Sequence, residues 1–184
     1  MKKLTDYFYI ITGGPGVGKT SVINELYNYG FQVVSEDARE IIRAQIQSKG
    51  EALPWKNKDL YASHMLQASI ESYNKTLTNE SSVTTFFDRG IPDTICYMNM
   101  ENIPISKHIN NIVKRHIYNP NVFIMPPWKE IYTKDDERKQ TWEEAEHTFY
   151  KMKEIYLKYN YILHEVPQGT VKQRVRFILN TINY

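Results

Sequence analysis

The sequence predicts an α/β fold with a mainly parallel sheet, and three observations carry that prediction. Five short apolar runs alternate with segments of helical periodicity, the pattern of successive strand–helix units. A glycine-rich loop, 13–20, stands directly between the first apolar run and the first helical segment. The second and third runs end on charged residues, Glu36-Asp37 and Asp88-Arg89, as suits strands whose carboxyl ends border a ligand crevice.

The elements follow in order. The first run, Tyr7–Thr12, leads into the loop and then a helix over about 19–29, which Gly30 ends as a residue free to turn left-handed. The second run is 31–34, followed by a helix over about 38–48 whose Ile41, Ile42 and Ile46 are expected on its buried side. Residues 49–56, with Gly50, Pro54 and Trp55, read as a loop. A long helix over about 57–78 has Leu60, His64, Leu66, Ile70, Tyr73 and Leu77 at helical spacing. The third run, 83–87, is followed by a short helix that Pro92 opens, since proline fits a first turn. Ser106 is placed to cap a helix reaching about His116. The fourth run, 121–125, stops at Pro126-Pro127. Thr141 and Glu144 make a capping-box pattern for a helix to about Tyr159. The fifth run is 161–166, and a last helix covers about 171–182.

Length and charge bound the function. The chain has 184 residues, suited to one domain, 1–184, with a real core. Its 23 basic and 21 acidic side chains nearly balance, which argues against broad nucleic-acid binding. The single cysteine, Cys96, excludes an intrachain disulfide and a multi-thiolate zinc site, and reads as a small buried apolar residue. The five histidines, 64, 108, 116, 147 and 164, have no metal-ligand spacing. No apolar stretch is long enough to span a membrane and no signal peptide is visible, so the expected compartment is the cytoplasm.

Residues 13–20, Gly13-Gly14-Pro15-Gly16-Val17-Gly18-Lys19-Thr20, match the Walker A pattern in the strand-then-helix context that the pattern needs. Glycines let the backbone wrap close to phosphate oxygens. The amides of Gly16, Gly18, Lys19 and Thr20 are expected to face the phosphates, with the helix N-terminus adding its positive dipole end. The nucleotide-binding set extends to Ser21 and, past the last strand, to Pro167. Lys19 is the expected contact to the β- and γ-phosphates, and the Thr20 hydroxyl the ligand of Mg²⁺. The competing reading is a plain glycine-rich turn.

Opposite the loop, Asp88 fits a Walker B carboxylate, either holding Mg²⁺ through water or accepting a proton from an acceptor hydroxyl; an ordinary surface aspartate is the alternative. Arg89 suits a phosphate of donor or acceptor. Glu36 is the candidate general base, against a reading as a helix N-terminal acid, which Asp37 fits better. Arg39 is a candidate for an acceptor phosphate. The charged segment within 128–140 reads as a lid, in which Lys134 or Arg138 would neutralise charge on the transferred phosphoryl, or as a solvated loop. Trp55, Tyr61 and Tyr73 are available to line a ring pocket or to fill core. The letters of Thr133-Lys134-Asp135-Asp136 match a guanine motif but lie inside the presumed lid, so ATP is the expected nucleotide, with GTP left open.

These residues together resemble a small family of single-domain "AAA-domain" predicted ATPases. The resemblance rests on the Walker A loop, Glu36-x-x-Arg39, Phe87-Asp88-Arg89-Gly90-Ile91-Pro92-Asp93, Glu137-Arg138, and Val166-Pro167-x-x-Thr170-Val171-x-x-Arg174. That family is similar to the P-loop nucleoside and nucleotide kinases, among them thymidylate kinase, deoxynucleoside kinases and the ribosylnicotinamide kinase domain. The resemblance implies a three-layer P-loop NTPase sandwich with helices on both faces of a five-stranded parallel sheet in the order 2-3-1-4-5. It implies Glu36 as base, Asp88 and Arg89 as the pair after the third strand, Arg138 as lid arginine, and a base-contacting loop near Pro167–Thr170. Kinases of this kind are often dimers, so a homodimer is implied too, although no segment locates an interface. The chain departs from true AAA+ motors, because Asp88 is followed by Arg89 rather than Glu. The expected function is transfer of the ATP γ-phosphoryl to a small-molecule acceptor; the alternatives are an ATP- or GTP-hydrolysing switch acting on a macromolecular partner and a binding module without turnover.

Overall fold

The computed structural model describes residues 3–36, 38–78, 82–131 and 141–184; for Arg39 it describes the backbone alone. The elements are β1 (Phe8–Gly13), α1 (Lys19–Asn28), β2 (Gln32–Val34), α2 (Ala38–Gln47), α3 (Lys58–Thr78), β3 (Thr85–Asp88), α4 (Ile91–Met100), α5 (Lys107–Arg115), β4 (Asn121–Met125), α6 (Trp142–Lys158), β5 (Ile162–Glu165) and α7 (Val171–Thr181). The five strands are parallel, in the order β2-β3-β1-β4-β5 that the resemblance implied.

Each terminus has a local cause. At Gly30, φ is +90° as the chain leaves α1, and the amides of Gly30 and Phe31 close back on Tyr27 and Leu26. Pro92 lies in the first turn of α4. The Ser106 hydroxyl accepts from Ile109 N at 3.2 Å, and Thr141 and Glu144 exchange the two bonds of a capping box. Thr170 caps α7 in the same way, accepting from Gln173 N at 3.3 Å. The first strand starts one residue later than expected, because Leu4–Tyr7 forms a 3-10 turn.

Alternation along the strands sorts the core into two layers. Ile10, Phe87, Val122 and Ile124 face one way, against Leu66 and Tyr73 of α3, Ile95 of α4 and Tyr156 of α6. Ile11, Phe86, Phe123 and Met125 face the other, against Val22 and Leu26 of α1 and Val175 and Ile178 of α7. Covering on both faces explains why the central strands read as unbroken apolar runs.

One expectation is corrected. Ile46 was expected on the buried side of α2 but is 57% exposed, and with Ile42 it lines an open cleft. The reason lies in the strand before it. β2 is a three-residue edge strand with no fully buried residue, so it offers α2 little sheet face to cover.

The centre of the sheet is where β1 pairs with β3 on one side and β4 on the other, and the loop after β1 opens between their carboxyl ends. Phe87 is packed there between the rings of Phe8 and Tyr118, at 5.3 and 5.2 Å between centroids. Phe87→Ala is expected to cost about 3–5 kcal/mol, read as a lower urea midpoint with an unchanged slope.

Candidate active site

Packing and backbone shape the loop. A Cβ at Gly13 would sit 2.9 Å from the Met125 carbonyl oxygen, so the close approach of β1 to β4 at this point admits glycine alone. Gly18, at φ +76°, is the residue from which α1 starts. The α1 N-terminus therefore rises directly out of the loop, with Thr20 and Ser21 exposed toward the cleft.

Lys19 is largely buried and is held by two carboxylates from different strands. Its Nζ pairs with Asp88, at the end of β3, and with Glu36 Oε2 at 3.4 Å, just past β2. The other Glu36 oxygen accepts from Arg89 Nε at 2.7 Å. Burial on its own would raise the Glu36 carboxyl; the Arg89 and Lys19 charges and their hydrogen bonds outweigh it and hold it below the ordinary 4.5. Burial also works against the charged form of Arg89, but Glu36, Asp93 and Asp88 raise its pKa overall. Glu36 is thus ionised and Arg89 already engaged in the resting protein.

A cleft of about 750 Å³ gathers these groups. Gly14 to Ser21 form one wall; Glu36 and Arg89 stand across from them; Ile42, Ile46, Trp55 and Tyr61 continue the surface. Burial and the nearby Glu36 charge push the Tyr61 phenol up to about 12, so it keeps its proton at neutral pH. Asp88 joins the site through Lys19 and lines a smaller niche behind Glu36 and Arg89. Pro167 is exposed beyond β5, where Gln168 donates to the Pro127 carbonyl, and is not among the residues lining the cleft. Asp37, the Arg39 side chain, Lys134, Arg138 and residues 132–140 of the expected lid lie outside the described residues.

Sequence reading missed the support beneath the site. Asp93, 6% exposed, accepts from the Thr12 and Tyr156 hydroxyls, both at 2.5 Å, and from Gly90 N at 2.8 Å, and pairs with Arg89 at 3.4 Å. Two signals were present: a threonine closing an apolar run beside the loop, and an acid three residues past Gly90 at a helix start. Arg89 itself has φ +74°, an uncommon conformation for a side-chain-bearing residue, and its amide is tied to Ile11 O at 3.0 Å. Arg43, exposed on α2, also reaches the cleft unannounced.

A family model described as AAA domain matches residues 8–174, from the first residue of β1 into α7. The chain belongs to this AAA-domain family. No curated protein matches it. Among solved structures, the AAA-domain chain is similar to NadR protein in complex with NR, at 13% identity and a TM-score of 0.72, covering 96% of this chain and 50% of that one. The chain thus spans half the length of NadR. It is similar to deoxyadenosine kinase from M. mycoides (17% identity, TM-score 0.67, 96% and 98% covered) and to thymidylate kinase from Ehrlichia chaffeensis (14%, 0.60, 95% and 97%). At such identities the likeness is one of fold, that of the P-loop kinases, with the sheet order and helices on both faces that the resemblance implied.

The Glu36 pairing has a pH signature. A carboxylate whose folded pKa is lowered adds stability that is complete above the unfolded value near 4.5 and is lost as pH falls through the lowered one. Urea titrations from pH 7 to pH 3 should therefore show wild type losing more stability on acidification than Glu36→Gln; parallel losses would contradict the pairing.

Proposed function

We propose that this AAA-domain chain is an ATP-dependent phosphotransferase of the nucleoside- and nucleotide-kinase type. The observation that carries the reading is the single cleft with the Gly14–Ser21 loop on one wall and Glu36 and Arg89 on the other. The fold likeness to deoxyadenosine kinase and thymidylate kinase supports it.

In this reading the loop amides and the α1 N-terminus bind the triphosphate, and Lys19 leaves its carboxylates for the β- and γ-phosphate oxygens. Glu36 receives the proton of the acceptor hydroxyl while that oxygen bonds to the γ-phosphorus. The bond from the γ-phosphorus to the bridging oxygen breaks, and its electron pair leaves with ADP. Arg89 and Arg39 orient the acceptor, Arg138 covers the transferred group, and Pro167 borders the base. Exposed Ile46 and Trp55, beside Ile42 and Tyr61, offer flat apolar surface suited to an acceptor with a ring, such as a nucleoside or nucleotide.

Magnesium fits the donors present. The Thr20 hydroxyl faces the cleft and the Asp88 carboxylate stands by Lys19, both hard oxygen ligands. No group of three or more His, Cys, Asp or Glu able to hold a metal occurs among the described residues, so the ion would arrive with the nucleotide, completed by phosphate oxygens and water. Bound there, it would neutralise charge on the β- and γ-phosphates. No helix among the described residues is long and apolar enough to cross a membrane, and the proposed setting is the cytoplasm.

The test supplies Mg²⁺ and γ-labelled ATP with and without a pool of nucleosides, nucleotides and other small hydroxyl compounds. Label is expected in a new organic phosphate; label in inorganic phosphate alone, at a rate indifferent to the pool, would replace the kinase by a hydrolysing switch. Lys19→Ala should abolish transfer. Glu36→Ala should lower kcat roughly 10²–10⁴-fold with ATP affinity nearly unchanged, as expected for loss of a base.

A further inference from the structure

Arg174 lies on α7, 3% exposed, and is not among the residues lining the cleft. It nevertheless touches the phosphate loop from behind. One terminal nitrogen donates to the Val17 carbonyl at 2.9 Å, across 157 positions of sequence. A Cβ at Gly18 would lie 2.8 Å from the same nitrogen, so a side chain there would displace the guanidinium from the Val17 carbonyl. The guanidinium carbon stands 5.8 Å from the Trp128 ring centroid, a cation–π contact.

Its charge has no carboxylate partner among the described residues, and its buried Nε has no hydrogen-bond acceptor. Burial alone acts on its pKa and lowers it. An isolated buried cation is costly unless an opposite charge compensates it, and one carbonyl and one ring face do so only in part. The other groups in the site are arranged differently: Lys19 and Arg89 each hold carboxylates. Arg174 is thus a buried cation with no carboxylate among the described residues, behind the loop that would receive an anion.

We propose that Arg174 is a positioning residue of the phosphate site, tying the Val17 carbonyl back toward α7 so that the loop amides face the phosphates, and lending them a positive charge through the loop. The inference rests on the reading of the loop as a triphosphate site. A bound triphosphate would then supply a compensating charge that no described carboxylate gives Arg174, and the last helix of the fold would report on loop occupancy.

The test measures binding of Mg²⁺-ATP, inorganic tripolyphosphate and adenosine to wild type, Arg174→Met and Arg174→Lys at fixed ionic strength. Arg174→Met is expected to weaken ATP and tripolyphosphate at least tenfold, about 1.4 kcal/mol, and adenosine less than twofold. Arg174→Lys, which keeps the charge with fewer donors, is expected to recover much of the loss. ATP affinity within twofold of wild type in Arg174→Met, or an equal loss for adenosine, would overturn the proposal. Should Arg174→Met fail to fold, Arg174→Gln decides, since it removes the charge and keeps a donor: a ratio of ATP to adenosine affinity lowered at least tenfold supports the role of the charge, and an unchanged ratio overturns it. If wild type binds neither ATP nor tripolyphosphate, the triphosphate reading itself fails, which is a different result from Arg174→Met behaving as wild type.

Discussion

The structure turns on the ion network that Lys19 makes with Asp88 and Glu36 and that Glu36 extends to Arg89. These groups come from the loop after β1 and from the ends of β2 and β3, so the network joins three consecutive positions in the sheet. Partly buried charges of this kind are tolerable only because they compensate one another, and removing one partner of a buried pair typically costs about 3–5 kcal/mol. The same network couples the two halves of the proposed chemistry. A triphosphate that takes Lys19 removes one of the charges that hold Glu36 acidic, so nucleotide binding would make Glu36 a better proton acceptor.

Beneath the network lies a second, drier one. Asp93 joins the Thr12 hydroxyl of β1, the Tyr156 hydroxyl of α6 and the backbone at the start of α4, and it backs Arg89. It gives the left-handed Arg89 a fixed place, since the amide of Arg89 is bound to β1 and its guanidinium lies between Glu36 and Asp93. Strain in the backbone is sustained where the surroundings determine it from several sides. Burial pushes the Tyr156 phenol far above its ordinary range, so it stays a donor to Asp93.

The open side of the cleft has a different origin. A three-residue edge strand cannot bury the helix that follows it, and the apolar stripe of α2 is left facing the Gly14–Ser21 loop with Trp55 nearby. The rigid wall is thus made by the middle of the sheet and the apolar wall by its edge.

Much of this was legible in the sequence alone. The Walker A loop, the turn at Gly30, Pro92 in the first turn of α4, and the caps at Ser106 and Thr141 are local matters, settled within a few residues by steric freedom, missing donors and short hydrogen bonds. Five short apolar runs likewise announced the strands, and the resemblance supplied their order. Which charges meet was decided by the tertiary structure. Lys19 and Asp88 are 69 positions apart, Glu36 and Arg89 53, Thr12 and Asp93 81, and Arg174 and Val17 157. Periodicity placed Ile46 on the apolar side of its helix but could not say whether that side met core or cleft. The physical reason is the same in each case: propensity and patterning act along the chain, whereas the partner of a side chain depends on which strand ends the sheet brings together.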